Sequence, residues 1–522
     1  MDDAAPRTGA VRHGVGGELL RGLLIDGGSR RGRGRGRGGG LRHDVHDNRD
    51  RPRTTGRAIT LALMTRHASS ALKTDMYELT MVDAALKAGT ALRPSVFEVF
   101  GRRLPTRRRY GVVAGIGRLL DELENFRFSA DEIDYLSRAK IVSDETLDFL
   151  RDYRFGGTIT GYPEGEVFFP GSPILVVEGS FAEGVVLETL VLSILNHDSA
   201  VAAAASRMAT AAHGRPLLEM GARRTHEEAA VAAARAAVVG GFAATSVLEA
   251  GRRYGIKAIG TAAHSFTLLH DSEEEAFAAQ VAALGPATTL LVDTYDVTVG
   301  VERAVAAARA AGGELGAVRL DSGDLVAQAF QVRAQLDELG ATSTRITVTS
   351  DLDEFAIAAL NAAPVDSYGV GTKLVTGSGH PTAELVYKLV AREGADGWRE
   401  VAKKSSSKKS VGGLKRAGRL YGSDGHAVEE LVVAGTTSEQ TLAEIERQGA
   451  RQLMVDLVVD GEPVAEHRDS GALVRAQERH KLSRAALPYA GWRLSDGEPA
   501  IATRHVDVDP SDDEVDMESG HA

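Results

Sequence analysis

The sequence contains no cysteine. This absence excludes disulfide bonds, thiolate metal sites and a cysteine nucleophile, and it fits a reducing compartment. No apolar run approaches the roughly 20 residues that span a bilayer, and the short apolar stretch at residues 58–64 lacks the h-region and cleavage site of a signal peptide. We therefore expect a cytoplasmic protein.

Aromatic residues are also scarce, at 5% of the 522 residues, whereas alanine-rich stretches are common. This composition favours many helices packed closely against a flat surface. The hydrophobic share of 43% and the charged share of 25% are those of a globular protein, and the length predicts two or three domains. The net charge of −11 argues against a general nucleic-acid binder.

The two ends of the chain differ from the rest. Residues 1–63 include the tract RRGRGRGRGGG at positions 30–40 and show no helical or alternating periodicity, so we predict a disordered Arg/Gly-rich extension. It is either an RNA-binding tail or an extension from an upstream start codon, with Met64 as the natural start. Residues 506–522 are acidic, and we predict a second disordered tail there.

Between these ends the periodicity changes at residue 216. Residues 64–215 mix short strands with helices, including a long apolar helix at about 185–212, and predict an α+β domain. Residues 216–395 alternate apolar strands with helical patterns, which predicts parallel strands joined by right-handed crossovers. Strands are predicted at 217–220, 240–244, 257–261, 288–293, 316–320, 345–349, 365–371 and 384–390, and helices at 226–238, 273–284, 301–311, 324–339 and 353–360.

The expected fold class is α/β. We predict an irregular parallel α/β barrel, with a mixed α+β domain built from N-terminal and C-terminal segments, in which residues 396–505 pack on the domain formed by 64–215. An open doubly wound sheet is the alternative.

Nearly every predicted strand of residues 216–395 ends in polar or glycine residues, and in a parallel barrel all of these ends lie on one face. The clusters are Gly221-Ala222-Arg223-Arg224, Ala244-Thr245-Ser246, Gly260-Thr261-Ala262-Ala263-His264-Ser265, Asp293-Thr294-Tyr295-Asp296, Arg319-Leu320-Asp321-Ser322-Gly323-Asp324, Thr349-Ser350-Asp351 and Gly369-Val370-Gly371-Thr372. They predict one site at the carboxyl ends of the strands.

The residue types indicate an anionic, sugar-bearing ligand. The glycine turn at 369–372 can offer backbone N–H groups to a phosphate, and Arg223 can bind an anion bidentately. Asp321 and Asp324 can hold ribose hydroxyls or Mg²⁺ attached to a pyrophosphate, although Asp324 can equally cap the following helix. His264, with Asp293 at the end of the next strand, suits a nucleophile or a base, although a lone histidine is often structural.

These motifs resemble those of the nicotinate phosphoribosyltransferases, ATP-assisted members of the type II phosphoribosyltransferases, over about residues 70–420. The resemblance begins at the TDMYELT segment of residues 74–80 and continues with Phe97, Phe100, Arg102, Arg103 and Pro105. The clusters at 221–224, 240–246 and 260–265 and the segments LVDTYD and RLDSGD follow in the expected order.

The resemblance implies an enzyme of NAD salvage that makes nicotinate mononucleotide and pyrophosphate from nicotinate and 5-phosphoribosyl 1-pyrophosphate. It implies Mg²⁺, ATP as a co-substrate that transiently phosphorylates His264, and a homodimer in which the site is shared. Asp293 is expected to orient His264, while Asp321 and Asp324 hold the ribose and the Mg²⁺-pyrophosphate. Other implied substrate contacts are Tyr77, Arg223 and Ser246 at the pyridine, Ser350, Asp351, Gly369 and Gly371 at the 5-phosphate and ribose, and Arg319 near the two aspartates. Thr245 and Thr372 are further substrate-binding candidates, and Lys408 and Lys415, with Lys404 and Arg419, resemble a basic phosphate-binding segment.

Some alternatives remain open at this point. An aspartate occupies the place of Ser246 in the related nicotinamide-specific enzymes, and a serine there favours the acid. A quinolinate phosphoribosyltransferase, a sugar-phosphate barrel enzyme with Lys373 as a Schiff-base nucleophile, and an RNA-binding protein are the other candidates. The chain departs from the family pattern at Val247, where asparagine is common, and in KKSSSKKSVGG, for which a flexible loop is the alternative interpretation.

Overall fold

The structure, a computed structural model, describes residues 69–402 and 411–508. The predicted extension at 1–63, most of the predicted tail at 506–522, and Lys404 and Lys408 lie outside the described residues. The described residues bury two large hydrophobic clusters, one in an α+β lobe and one in a barrel.

The first part of the α+β lobe carries five strands and six helices. The strands are β1 (Pro94–Gly101), β2 (Gly111–Val112), β3 (Thr158–Gly161), β4 (Val167–Phe168) and β5 (Leu175–Ser180). The helices are α1 (Met76–Lys87), α2 (Ile116–Asn125), α3 (Ala130–Arg138), α4 (Asp144–Asp152), α5 (Phe181–Val185) and α6 (Glu188–Ala211).

The barrel follows, with strands and helices in alternation. The strands are β6 (Leu217–Glu219), β7 (Ala244–Thr245), β8 (Thr289–Leu291), β9 (Ala317–Leu320), β10 (Arg345–Val348) and β11 (Ser367–Val370). The helices are α7 (Glu227–Val239), α8 (Leu248–Tyr254), α9 (His264–Leu269), α10 (Glu273–Leu284), α11 (Val297–Ala310), α12 (Leu325–Glu338), α13 (Glu354–Leu360) and α14 (Thr372–Val375).

The last part of the chain returns to the α+β lobe. Its strands are β12 (Leu385–Gly394), β13 (Gly397–Glu400), β14 (Leu414–Tyr421), β15 (Ala427–Gly435), β16 (Arg451–Gln452), β17 (Val455–Val459), β18 (Glu462–Pro463) and β19 (Ala502–Asp507). Its helices are α15 (Ser438–Arg447) and α16 (Ala472–Ala485). Strand β17 pairs antiparallel with β3, so N-terminal and C-terminal segments share one sheet.

The barrel sheet is parallel throughout and has the strand order β7-β6-β11-β10-β9-β8. A parallel bridge between Thr245 and Ala258 extends it beyond β7. In the part of the chain that the structure describes, no ladder joins this edge to β8, so the sheet is curled but open. The predicted α/β class and irregular barrel are confirmed, whereas the strand predicted at 257–261 is reduced to this single bridge.

The strand predicted at 384–390 forms, but its assignment to the barrel is wrong. It is β12, which pairs antiparallel with β1 in the seven-stranded sheet of the α+β lobe. There the ring of Tyr387 stacks on Phe97 with centroids 5.1 Å apart. An apolar pattern identifies a strand without specifying its partner, and the partner here is chosen by packing against residues almost 300 positions earlier.

The predicted long helix is α6, which packs against α7 between the lobe and the barrel. The segment Phe181–Ala211 is long and apolar enough to cross a membrane by length and composition, with a mean hydropathy of 1.3 over an 18-residue window, but 67% of that window is buried inside the molecule. Alanines 200, 202 and 204 are all buried. Small side chains of this kind let the neighbouring helix approach closely.

Two basic residues predicted to bind phosphates are buried instead, and that prediction is wrong for both. Arg419 is fully buried and donates from Nε to Glu430 (2.8 Å) and from Nη1 to Glu166 (2.7 Å). Lys415 is buried and donates from Nζ to Glu98 (2.6 Å). Buried charges must be paired, so these side chains hold strands of the α+β lobe together and are not available to a substrate.

Candidate active site

The polar clusters predicted from the sequence lie at one edge of the barrel sheet. Because β6 to β11 run parallel, their carboxyl ends share this edge, and each strand is followed there by its predicted polar segment. Backbone pairing also ties the clusters to each other, since Met220 N–H donates to the Val370 carbonyl (2.8 Å) and Thr349 N–H to the Leu320 carbonyl (2.8 Å). We call this edge the rim.

A cavity of about 650 Å³ opens below the rim and extends into the barrel. Three of the predicted site residues line it together, namely Arg223 after β6, Ser246 after β7 and Arg319 in β9. The rest of the lining is small or apolar: Leu218, Met220, Ala222, Ala258, Ile259, Gly260, Thr261, Ala287, Thr288, Thr289 and Thr347. A mostly apolar cavity with a few convergent polar groups is the usual form of a small-molecule site.

The two arginines give the cavity a positive charge. Burial lowers the pKa of Arg319, the charge of Arg223 lowers it further, and Asp321 and Asp293 oppose these effects. Arg319 donates from Nη1 to Thr261 Oγ1 (3.2 Å), while its buried Nε has no hydrogen-bond partner within the described ranges. An unpaired buried donor of this kind costs free energy until a ligand accepts its hydrogen bond.

His264 is the first residue of α9 and faces two carboxylates. Its Nδ1 is 3.0 Å from Thr294 Oγ1, and its Nε2 is 3.9 Å from Asp293 Oδ1 and 3.9 Å from Asp321 Oδ2. Asp293 was expected to hydrogen-bond one ring nitrogen, but Thr294 holds the imidazole, and Asp293 faces the other nitrogen beyond hydrogen-bond distance.

Asp293 also connects two strand ends. Its Oδ2 accepts hydrogen bonds from the Asp321 backbone N–H (2.8 Å) and from Ser322 Oγ (3.0 Å). Its side chain is 2% exposed, and Oδ1 has no hydrogen-bond partner among the described residues. This oxygen is therefore a buried acceptor directed at the space between His264 and Asp321.

The predicted magnesium ligands differ in their suitability. Asp321 Oδ1 accepts from the Thr349 hydroxyl, and its Oδ2 is directed at His264. Asp324 instead caps α12, accepting from the Ala327 N–H (3.1 Å), as the alternative interpretation of the sequence proposed. No group of three or more His, Cys, Asp or Glu side chains within 69–402 and 411–508 could hold a metal ion, but Mg²⁺ commonly takes only one or two carboxylates together with substrate phosphates. Asp321 and the free oxygen of Asp293 fit this requirement.

The ends of β10 and β11 form the far side of the rim. Ser350 has a φ of 146°, a conformation that favours glycine and is strained for serine, and the side chain of the adjacent Asp351 is exposed. Gly369 has no room for a side chain, because an added Cβ would lie 2.5 Å from Thr349 Cγ2. Gly371 precedes Thr372, the first residue of α14.

Thr245, predicted as a substrate-binding residue, is buried by the barrel strands. It is fully buried and does not line the cavity, so a direct substrate contact is wrong for this residue. Its hydroxyl donates to Glu219 Oε2 (2.5 Å), a fully buried carboxylate at the end of β6. Sequence inspection missed Glu219, because a single acid at the end of an apolar strand carries no spacing signal.

Tyr77, like Lys415, is a predicted substrate contact that does not lie on the barrel. Tyr77 lies on α1 in the α+β lobe, 46% exposed, and partial burial and the neighbouring Glu188 raise its pKa. Lys408 lies outside the described residues. In the described part of the chain, no hydrogen bond or ion pair joins Tyr77 to His264.

Comparisons with known proteins agree with this arrangement. The nicotinate phosphoribosyltransferase (NAPRTase) N-terminal domain matches residues 72–196. The nicotinate phosphoribosyltransferase pncB1 of Mycobacterium tuberculosis (strain ATCC 25618 / H37Rv) is 57% identical over 443 residues, which cover 83% of this chain and 95% of that protein. The nicotinate phosphoribosyltransferase of Bacillus subtilis (strain 168) is 36% identical, over 70% of this chain and 76% of that protein.

Two solved structures share the fold. The crystal structure of human nicotinic acid phosphoribosyltransferase superposes with a TM-score of 0.70 at 24% identity, covering 85% of this chain and 99% of that chain. The nicotinate-nucleotide pyrophosphorylase from Pyrococcus furiosus superposes with a TM-score of 0.64 at 23% identity, covering 82% and 99%. The curled barrel with its α+β lobe is thus a fold that these proteins have in common.

Proposed function

The chain belongs to the nicotinate phosphoribosyltransferase family, and on this premise we propose that it joins nicotinate to the phosphoribosyl group of 5-phosphoribosyl 1-pyrophosphate in NAD salvage, with release of pyrophosphate. One observation carries the proposal at the level of residues. Arg223, Arg319 and Ser246 line one cavity, and the cluster of His264 and Asp321 lies beside it at the same rim.

The cavity suits the pyridine carboxylate. Arg223 and Arg319 supply two positive charges, and the unpaired Nε of Arg319 supplies a donor. Arginine binds carboxylates through charge-assisted, often bidentate, hydrogen bonds. Ser246 adds no negative charge to the cavity, so nicotinate is favoured over nicotinamide, whose neutral amide gains less from two guanidinium groups.

The neighbouring carboxylates suit the second substrate. We propose that Asp321, with Asp293, holds Mg²⁺ bound to the pyrophosphate and that Asp321 also orients the ribose, while the segments at Ser350 and Gly371 surround the 5-phosphate. Bound Mg²⁺ would neutralise charge on the leaving pyrophosphate. Displacement at the anomeric carbon passes through an oxocarbenium-like state, so the chain contributes mainly by positioning the two substrates and stabilising charge.

ATP coupling is proposed to run through His264. Thr294 occupies Nδ1, which leaves Nε2 as the nitrogen that takes the γ-phosphoryl group of ATP, with ADP as the leaving group. Hydrolysis of the phosphohistidine then returns the imidazole and releases phosphate. The carboxylates 3.9 Å from Nε2 would stabilise the positive charge on the ring during both steps.

We also propose a cytoplasmic homodimer with a shared site. Tyr77 lies in the α+β lobe, away from the rim of its own chain, so its contact with the pyridine requires a second copy. Large apolar side chains near the rim are exposed, among them Leu248, Leu269 and Tyr295. Exposed apolar groups gathered around a polar site are typical of surfaces that bind another protein.

A substrate panel tests the function. The full chain is incubated with 5-phosphoribosyl 1-pyrophosphate and Mg²⁺ and with nicotinate, nicotinamide or quinolinate, each with and without ATP, and the mononucleotide is quantified. We expect product with nicotinate, a higher rate with ATP, and unchanged activity in a Lys373→Ala variant or after deletion of residues 1–63. A preference for nicotinamide or quinolinate, or a loss of activity in Lys373→Ala, would overturn the assignment.

A further inference from the structure

Glu219 is a buried carboxylate that the reaction itself does not use. It ends β6, is fully buried and sits beneath the two rim segments that carry Arg223 and Ser246. We infer that Glu219 is a positioning residue that sets the affinity for the pyridine carboxylate by holding these two segments in place. The inference rests on the proposed function.

Each carboxylate oxygen of Glu219 holds a different segment. Oε1 accepts the backbone N–H of Gly221, the residue before the turn that contains Arg223. Oε2 accepts the Thr245 hydroxyl (2.5 Å), and Thr245 Oγ1 in turn accepts the Val247 N–H (3.0 Å). The Ser246 N–H, between them, donates to the Glu219 main-chain carbonyl (2.8 Å).

The first of these segments fits tightly over the carboxylate. A Cβ added to Gly221 would lie 3.1 Å from Glu219 Oε1, 2.3 Å from Val375 Cγ1 and 3.2 Å from the Gly371 carbonyl oxygen. The turn therefore has no room to move toward the barrel wall. Its position is fixed by the one hydrogen bond from Gly221 and by this close packing.

Among the described residues, most buried glutamates face a cation, whereas Glu219, like Glu78, does not. Glu166 and Glu430 face Arg419, and Glu98 faces Lys415. In contrast, no ion pair of Glu219 is found among the described residues, and burial raises its pKa against the hydrogen bonds from Thr245 and Gly221. Keeping a carboxyl group in an apolar position without a counter-charge lowers stability. A residue with only a structural role would not need a carboxyl group there.

The experiment compares substitutions that differ in hydrogen bonding but not in size. Glu219→Met removes both acceptors. Glu219→Gln keeps a hydrogen bond to each segment, because its amide oxygen accepts from the Gly221 N–H and its NH₂ group donates to the Thr245 hydroxyl. Glu273→Met is the matched control, a buried glutamate in the same barrel whose partner Arg303 lies outside the site. Initial rates with nicotinate and with 5-phosphoribosyl 1-pyrophosphate give kcat and both KM values, and thermal unfolding monitors the fold.

In Glu219→Met we expect the KM for nicotinate to rise at least about tenfold, with kcat and the KM for 5-phosphoribosyl 1-pyrophosphate within about threefold of the wild type. Glu219→Gln should have the wild-type KM for nicotinate. Glu273→Met should lower the unfolding temperature but leave the KM for nicotinate unchanged. If Glu219→Met does not fold, Thr245→Val is measured instead, with a rise of roughly threefold to tenfold expected from the loss of one hydrogen bond.

The inference is overturned if Glu219→Met, or Thr245→Val in its place, binds nicotinate as the wild type does. It is equally overturned if Glu219→Met changes kcat and both KM values together and Glu219→Gln fails to reverse this. A wild-type chain that makes no product from nicotinate shows a failure of the proposed function instead, which is seen before any variant is compared.

Discussion

Replacing Asp293 with asparagine removes one charge beside His264 while keeping the size of the side chain. The distance from Asp293 Oδ1 to His264 Nε2 is 3.9 Å. Two unit charges about 4 Å apart interact by about 4 kcal/mol at an effective dielectric constant of about 20. Because the His264 side chain is 39% exposed, solvent screening reduces this to about 2 kcal/mol. The ATP-stimulated rate should therefore fall roughly thirtyfold.

The same substitution should lower the rate without ATP less than the ATP-stimulated rate, because the asparagine oxygen still accepts from Asp321 and Ser322 and only the contribution of Asp293 to Mg²⁺ binding is weakened. Initial rates with and without ATP measure both effects. Asp296→Asn is the control, since Asp296 lies in the same segment but only caps α11. If Asp293→Asn keeps its ATP stimulation, or loses both rates equally, the proposed electrostatic role of Asp293 is wrong.

Three further predictions concern the rest of the molecule. Arg419→Met should lower the free energy of unfolding in urea by about 3–5 kcal/mol, because it leaves the buried Glu430 without a cation and Glu166 with Arg451 alone; a change below about 1 kcal/mol would contradict this. Burial raises the pKa of Glu78 to about 7, against the effect of hydrogen bonds from Thr189. Between pH 4.5, the ordinary pKa of this group, and about pH 7, the folded chain therefore keeps a proton that the unfolded chain releases. The free energy of unfolding should fall as the pH rises through this interval. Glu78→Gln should therefore gain in unfolding temperature relative to the wild type between pH 5 and pH 8 (about 3 pH units), and a constant difference would refute the assignment. Tyr77→Ala and His264→Ala chains, each deficient in the ATP-stimulated rate, should regain this rate when mixed and reassociated, whereas an unshared site predicts no recovery.

Local sequence patterns predicted most of the barrel. The helix predicted at 273–284 is observed as Glu273–Leu284, since its first turn is acidic and Ser272 caps it. The polar ends of the strands predicted the rim, because parallel strands place these ends on one edge. Both results follow from information within about 15 residues of each position.

The errors have a common cause, which is contact between distant parts of the chain. Lys415 and Arg419 are basic residues near a Lys/Ser-rich segment, and their partners Glu98 and Glu166 lie 317 and 253 positions away. Glu219 gains its importance only when β7 brings Thr245 beside it. No periodicity or local motif records such pairings, so they became visible only in the folded chain.

The most direct test of the account is the formation of nicotinate mononucleotide by the wild type and by an Arg319→Met variant, with nicotinate, 5-phosphoribosyl 1-pyrophosphate and Mg²⁺. The wild type should release mononucleotide and pyrophosphate in equal amounts, and the variant should lose at least about tenfold in kcat/KM for nicotinate while remaining folded. A folded wild type that forms no mononucleotide, or a variant as efficient as the wild type, would contradict the assignment of this cavity to nicotinate.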